Sequence, residues 1–124
     1  MDRARAIAKL TAPGRKYELQ NVCVNGNEVK WFVNAPTSLR QLISEARCEK
    51  TFFVYNDERY TFEEFYQRAS NLGRRLIDDY GVKPGDRVAI GLRNYPEWAL
   101  AFAAITSIGG IVAGLNAWWE SDEL

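Results

Sequence analysis

One stretch of this chain constrains its fold more than any other: two short apolar segments separated by a helical pattern. The segments Arg87–Leu92 and Ile111–Leu115 are nearly all apolar, which is typical of strands buried on both faces of a parallel sheet. Parallel strands need a crossover connection, and a helix usually supplies it. Ser121–Leu124 then has the composition of another helix start. We therefore predict an α/β fold, the N-terminal portion of a doubly wound parallel-sheet subdomain with flanking β-hairpins.

The segment between these strands predicts a helix over Tyr95–Ile108. Apolar residues recur there at helical spacing, and Gly109-Gly110 ends the pattern. Asn94 is expected to cap the N-terminus of this helix. We expect the helix to cross right-handedly between two neighbouring parallel strands and to bury Phe102 and Ile105 against them.

Upstream, the sequence predicts two β-hairpins and three helices. Asn25-Gly26 and Asn56-Asp57-Glu58 are turn signals between strand-forming runs. The hairpin strands are expected at Leu19–Val24 with Val29–Val33, and at Thr51–Tyr55 with Arg59–Thr61. Helices are expected over Met1–Leu10 and along the apolar stripe formed by Leu39, Leu42, Ile43 and Ala46. A third helix is expected to begin at the capping box of Thr61 and Glu64 and to end at Gly81.

Composition excludes several classes of protein. Sixteen basic residues balance sixteen acidic ones, so no global field favours nucleic acid or an anionic membrane. The absence of histidine excludes Ser-His-Asp and Cys-His nucleophilic sites and the usual zinc motifs. Cys23 and Cys48 form no Cys-x-x-Cys motif, so they are interpreted as small apolar residues in a reducing cytosol.

The run from Trp98 to Trp119 contains no charged residue and is bracketed by tryptophans, as a membrane span would be. We favour a buried helix, a turn and a strand, because Gly109-Gly110 interrupts the run midway. A small membrane-associated protein built around this run remains an alternative. The N-terminal ten residues lack the long apolar core of a signal peptide.

Three segments, in order, carry a family resemblance. Tyr60–Phe65, followed by Ala69 and Leu72, resembles the first core motif of the adenylate-forming superfamily, which includes acyl-CoA synthetases, luciferases and peptide-synthetase adenylation domains. Val82–Ile90 is similar to the segment that follows it in the family. Ser107–Asn116 resembles the second core motif, although the proline common there is absent and Ala117-Trp118-Trp119 replaces a more polar tail. The ending and the upstream hairpin look most like fatty-acyl or related carboxylate-CoA ligases.

The resemblance implies an enzyme of which this chain carries no catalytic part. Family members adenylate a carboxylic acid with ATP and Mg²⁺ and usually transfer the acyl group to CoA. Their Gly/Ser/Thr-rich phosphate loop, their ribose-binding acid and their catalytic lysine have no counterpart in residues 1–124. We therefore expect the N-terminal part of an AMP-binding domain, truncated before the phosphate loop, with no catalytic, cofactor-binding or metal-binding residue. The expected location is cytoplasmic, with peripheral membrane association left open.

Some residues could still contact a ligand. Arg93, Asn94 and Tyr95 follow the carboxyl end of a predicted strand, where open α/β sheets bind ligands, although Asn94 is also explained as a helix cap. Trp118 and Trp119 follow the next strand and could line an acyl tunnel or a partner surface, or belong to an exposed apolar face that normally packs on another part of a domain. A free-standing interaction or regulatory module derived from such an enzyme remains a second hypothesis, and the isolated segment is expected to self-associate through exposed sheet edges.

Overall fold

The computed structural model describes residues 2–120 and 122, and it divides into two compact units, Met1–Pro36 and Thr37–Leu124. The helix start predicted at Ser121–Leu124 therefore lies almost wholly outside the described residues. The described residues form ten elements: α1 (Arg3–Leu10), β1 (Leu19–Val24), β2 (Asn27–Phe32), α2 (Leu39–Glu45), β3 (Thr51–Tyr55), β4 (Glu58–Thr61), α3 (Phe62–Asp78), β5 (Arg87–Ile90), α4 (Pro96–Ser107) and β6 (Ile111–Gly114).

The first unit consists of α1 and the antiparallel hairpin β1–β2. Asn25 and Gly26 form its two-residue turn with φ of +50° and +82°, the left-handed conformations that a type I′ turn requires. The sequence prediction of this hairpin is confirmed, with β2 beginning two residues earlier than expected. None of the described residues in this unit is buried, so its apolar side chains such as Trp31 and Phe32 stay about half exposed.

The second unit places the hairpin β3–β4 and the parallel pair β5–β6 around packed helices. Its core lies where α3 meets α4, with partly buried residues of α2 and β3 added to it. Glycine makes this helix contact close, because a Cβ at Gly73 would come 3.1 Å from Ile108 Cγ2. The buried apolar residues are Tyr60, Phe65, Ala69, Ile90, Ala103, Ala104 and Ile105.

Helix α3 has the ends that its sequence predicts. The Glu64 amide donates to Thr61 Oγ1 at 3.1 Å, and the Thr61 amide donates to Glu64 Oε2 at 2.8 Å, which completes the capping box. At the other end Gly81 adopts φ +68°, and its amide donates to the Ile77 carbonyl at 3.0 Å. The left-handed glycine reverses the chain toward β5.

The central α/β prediction is confirmed: β5 and β6 are parallel neighbours, and α4 connects them. The register pairs Val88 with Val112 and Ile90 with Gly114. The run from Trp98 to Trp119 is therefore a helix, a turn and a strand, and no helix of the described residues is long and apolar enough to span a membrane.

Three details differ from the sequence prediction. The helix cap is Tyr95 instead of Asn94, because the residue before Pro96 is pushed into the extended conformation that an N-cap adopts. The two strands are not buried on both faces: Ala89 and Ile111 are exposed, since α4 is the described helix that packs against the pair. Ile105 is buried as expected, whereas Phe102 is only half-buried and stacks on Trp98.

Candidate functional site

The loops that follow β5 and β6 meet at the carboxyl edge of the parallel pair. The Leu115 amide donates to the Ile90 carbonyl at 3.0 Å, which keeps the two loops side by side beyond the strands. They enclose a cleft of about 540 Å³, in the position where open α/β sheets bind ligands. Its lining residues are Leu92, Arg93, Asn94, Tyr95, Trp98, Leu115, Asn116, Ala117 and Trp118.

An arginine–tryptophan contact links the two loops across this cleft. The Arg93 guanidinium carbon lies 4.0 Å from the centroid of the Trp118 ring, within the range of a cation–π interaction. Asn116 holds the second loop in place, because its Oδ1 accepts the Trp118 amide at 3.1 Å and its carbonyl accepts the Trp119 amide at 3.1 Å. Trp118 nevertheless stays 73% exposed, so a face of its indole is open to a ligand.

Four of the five residues singled out from the sequence come together here. Arg93, Asn94, Tyr95 and Trp118 line the cleft, whereas Trp119 does not line it and is 42% exposed. Within the described part of the chain, the side-chain polar atoms of Arg93, Asn94 and Tyr95 make no hydrogen bond or ion pair with another residue. The cleft therefore presents one cation, an amide and a phenol that are available to a ligand.

Sequence reasoning missed the aromatic neighbours of this cleft. A second cleft of about 330 Å³ adjoins it and shares Asn94, Tyr95 and Trp98, while β3 contributes its other wall. The rings of Tyr55 and Tyr95 meet edge to face at 5.7 Å. No sequence pattern predicts this contact, because it depends on how the β3–β4 hairpin packs beside the start of α4.

The clearest pKa perturbation lies outside the cleft, in an ion pair that joins α3 to the loop before β3. Arg47 Nε and Nη2 donate to the two oxygens of Glu63 at 2.8 Å each, and Gln67 adds a bond of 2.9 Å. These hydrogen bonds lower the pKa of Glu63 to about 2. This is a structural role on a partly exposed surface, and it marks no catalytic group.

The cleft does not fit a metal–triphosphate. Among residues 2–120 and 122, no group of three or more His, Cys, Asp or Glu side chains could hold a metal ion. The β5–α4 loop contains a single glycine, Gly91, so it lacks the glycine-rich backbone that approaches phosphates closely. We therefore assign no step of metal or phosphate chemistry to these residues.

The arrangement of strands and helices is similar to that of a solved acid–CoA ligase. A crystal structure of an anthranilate CoA ligase in complex with anthranoyl-AMP matches with a TM-score of 0.64 and 25% identity, over 69% of this chain and 17% of that one. The family described as AMP-binding enzyme matches residues 40–124, which is more than half of the chain. The chain belongs to that family, and it corresponds to an N-terminal segment of such an enzyme.

Curated relatives place the same segment in much longer proteins. The chain is 32% identical to the acetyl-coenzyme A synthetase of Mesorhizobium japonicum over 107 residues, 76% of this chain and 16% of that protein. It is 37% identical to the malpinin synthetase of Mortierella alpina over 81 residues, 65% of this chain and 1% of that protein. The chain thus spans less than a fifth of each of these relatives.

Proposed function

We propose that residues 1–124 are the N-terminal part of the AMP-binding domain of an ATP-dependent acid–CoA ligase, ending before its phosphate loop. The longer protein adenylates a hydrophobic carboxylic acid and transfers the acyl group to CoA, whereas this segment catalyses neither step alone. The observation that carries the proposal is the family match over residues 40–124 on a β5–α4–β6 unit with no phosphate loop.

The segment contributes structure and one wall of a ligand site. The β5–α4–β6 unit holds Arg93 and Trp118 at the carboxyl edge, where an anionic or planar part of a ligand can contact them. ATP and Mg²⁺, when bound to the rest of the domain, supply the activation of the carboxylate. The residues described here contact and orient the ligand from one side of the site.

Two features support further parts of this proposal. Cys23 and Cys48 are both free thiols, in keeping with a cytoplasmic location. Ile111 of β6 and Leu92 of the loop after β5 are about half and two-fifths exposed, and this apolar surface favours self-association of the isolated chain.

The test compares two proteins made from the same reading frame. One is residues 1–124, and the other includes whatever sequence continues past Leu124. Each is assayed for acid-dependent exchange of labelled pyrophosphate into ATP and for acyl-CoA formation, with fatty, aryl and amino acids offered separately. We expect no activity from residues 1–124 and both half-reactions from the longer product with a hydrophobic acid.

Three outcomes would contradict the proposal in different ways. Acid-dependent exchange by residues 1–124 would show that this segment is catalytic. A frame that stops at Leu124 would favour the interaction-module hypothesis. A longer product that accepts amino acids and rejects every fatty and aryl acid would move the assignment to the peptide-synthetase branch.

A further inference from the structure

A second cavity of about 340 Å³ lies among helices α2, α3 and α4, and we call it the basic groove. It sits beside the C-terminal half of α4, whereas the carboxyl-edge cleft sits at the N-terminal end of that helix. Trp98 lines the carboxyl-edge cleft and Ser107 lines the basic groove. At a rise of about 1.5 Å per residue, these two residues lie about 13 Å apart along the helix axis. The lining residues of the basic groove are Arg40, Ile43, Tyr66, Ala69, Ser70, Gly73, Arg74, Ile77, Ala104, Ser107 and Ile108.

Two arginines from different helices face this groove without a partner. Arg40 of α2 and Arg74 of α3 make no hydrogen bond or ion pair with any other described residue, and no acidic residue lines the groove. The nearby arginines behave differently, because Arg47 is paired with Glu63 and Arg75 with Asp79 at 3.1 Å. The side chains of Arg40 and Arg74 are both exposed, so the groove carries at its rim two positive charges that form no ion pair with a described residue.

Three of the five acidic side chains on α2, α3 and α4 form hydrogen bonds or ion pairs elsewhere, whereas Asp78, one helical turn from Arg74, and Glu97 form none with a described residue. Glu45 accepts from Gln41, Glu64 completes the cap of α3, and Glu63 and Asp79 hold the two ion pairs. None of these carboxylates lines the groove. An anion that enters it meets two guanidinium groups and the hydroxyls of Ser70 and Ser107, which also make no hydrogen bond with the described residues.

The floor of the groove is apolar and closed. Ala69 and Ala104 are 4% and 0% exposed, and Gly73 lets α3 and α4 approach until Ile108 fills the space between them. Ile43 and Ile77 supply apolar surface at the sides. The volume lies at the lower end of the range of about 300–1,000 Å³ that is usual for small-molecule sites. A short apolar body fits this floor, while its charged end reaches the arginines.

We propose that the basic groove binds a small amphiphilic anion, with a carboxylate or phosphate between Arg40 and Arg74 and a short apolar chain over Ala69, Ala104 and Ile108. The shared chemistry is a singly or doubly negative oxyanion joined to an alkyl body. This site is independent of the carboxyl-edge cleft and of the ligase assignment, since it uses no residue of that cleft.

The test measures binding of two probes, labelled octanoate and octyl phosphate, to residues 1–124 by equilibrium dialysis. Dialysis counts ligand per chain, so it remains valid if the chain self-associates. The double variant R40Q/R74Q removes both charges, and R40K/R74K keeps them. The control R75Q also removes one charge from α3, but its side chain pairs with Asp79 and does not line the groove. Circular dichroism checks that each variant keeps its fold.

We expect one saturable site for at least one probe, with a Kd raised tenfold or more in R40Q/R74Q. The Kd should stay within about threefold in R40K/R74K and within twofold in R75Q. The tighter probe shows whether the natural ligand is a carboxylate or a phosphate. The proposal is overturned if neither anion saturates a site, if octylammonium or octanol binds equally well, or if R75Q weakens binding as much as the double variant.

Discussion

Replacing Ile105 with alanine tests the central packing of the second unit. Ile105 is 2% exposed in α4, and it is the largest side chain that is fully buried among the described residues. It also touches the turn before β6, because a Cβ at Gly110 would lie 2.8 Å from Ile105 Cγ2. The substitution I105A therefore removes atoms from the place where helix, turn and strand meet.

The expected cost follows from what is removed. Isoleucine to alanine deletes three carbons, and at about 0.8 kcal/mol for each buried carbon the transfer contribution is about 2.4 kcal/mol. The cavity left behind adds to this, so the free energy of unfolding should fall by about 2–5 kcal/mol. Ile77 of α3 is a matched control, since it is 48% exposed. For I77A, the half-exposed side chain loses only about 1.2 kcal/mol of transfer free energy, and the better helix propensity of alanine offsets a few tenths of this, which leaves about 0.5–1 kcal/mol.

The assay is urea unfolding of the three proteins at equal concentration, followed by tryptophan fluorescence and by circular dichroism. The midpoint should fall in the order native, I77A and I105A, with the largest interval before I105A. An I105A midpoint equal to or above that of I77A would show that α4 does not pack on β5 and β6 in solution. Phe102, being half-buried, should give a smaller loss than Ile105, which refines the equal burial expected from the sequence.

Three further predictions concern other parts of the chain. G110A should lower the free energy of unfolding by about 1–3 kcal/mol through overpacking against Ile105, whereas G114A, whose Cβ would meet nothing within 4 Å, should cost clearly less in the same urea assay. The pKa of Glu63 is lowered from 4.5 to about 2 in the folded state, so its contribution to stability is complete above pH 4.5 and is lost as the pH falls toward 2. The difference in urea midpoint between native protein and E63Q should therefore shrink from pH 7 to pH 3. A difference that stays constant would contradict this. Purified residues 1–124 should self-associate in analytical ultracentrifugation, and a monomer with a sharply cooperative melt would count against exposed sheet edges.

The local elements were predictable because their signals are short-range. Asn25-Gly26 supplies the left-handed conformations of a tight hairpin, and Thr61 with Glu64 satisfies the first amides of α3. The alternation of apolar strand and helical periodicity between Arg87 and Leu115 likewise predicts a parallel pair joined by a helix. The first two signals depend on neighbouring residues only, and the third on the order of segments along the chain, because consecutive parallel strands need a crossover connection, usually a helix, between them.

Features that depend on distant contacts were less accessible. Arg93 and Trp118 were each placed near the strand ends, but their stacking depends on two loops being aligned by the β5–β6 register. Burial of both faces of the strands was wrong, because composition reports apolar character without showing which elements cover it. The basic groove was missed altogether, since Arg40 and Arg74 lie on separate helices and only packing brings them to one cavity.

The parallel pairing of β5 with β6 has a consequence for how the chain folds as it is made. Each hairpin closes through a two-residue turn, and hairpins form within about 1–10 μs of being available. β5 has to wait, because its partner ends at Gly114, 24 residues after Ile90. At a synthesis rate of about 5–20 residues per second, that delay is about 1–5 s. During this interval the backbone amides and carbonyls of Arg87–Ile90 lack their ladder partner, which makes this strand the natural target of a chaperone or of mispairing with a neighbouring nascent chain.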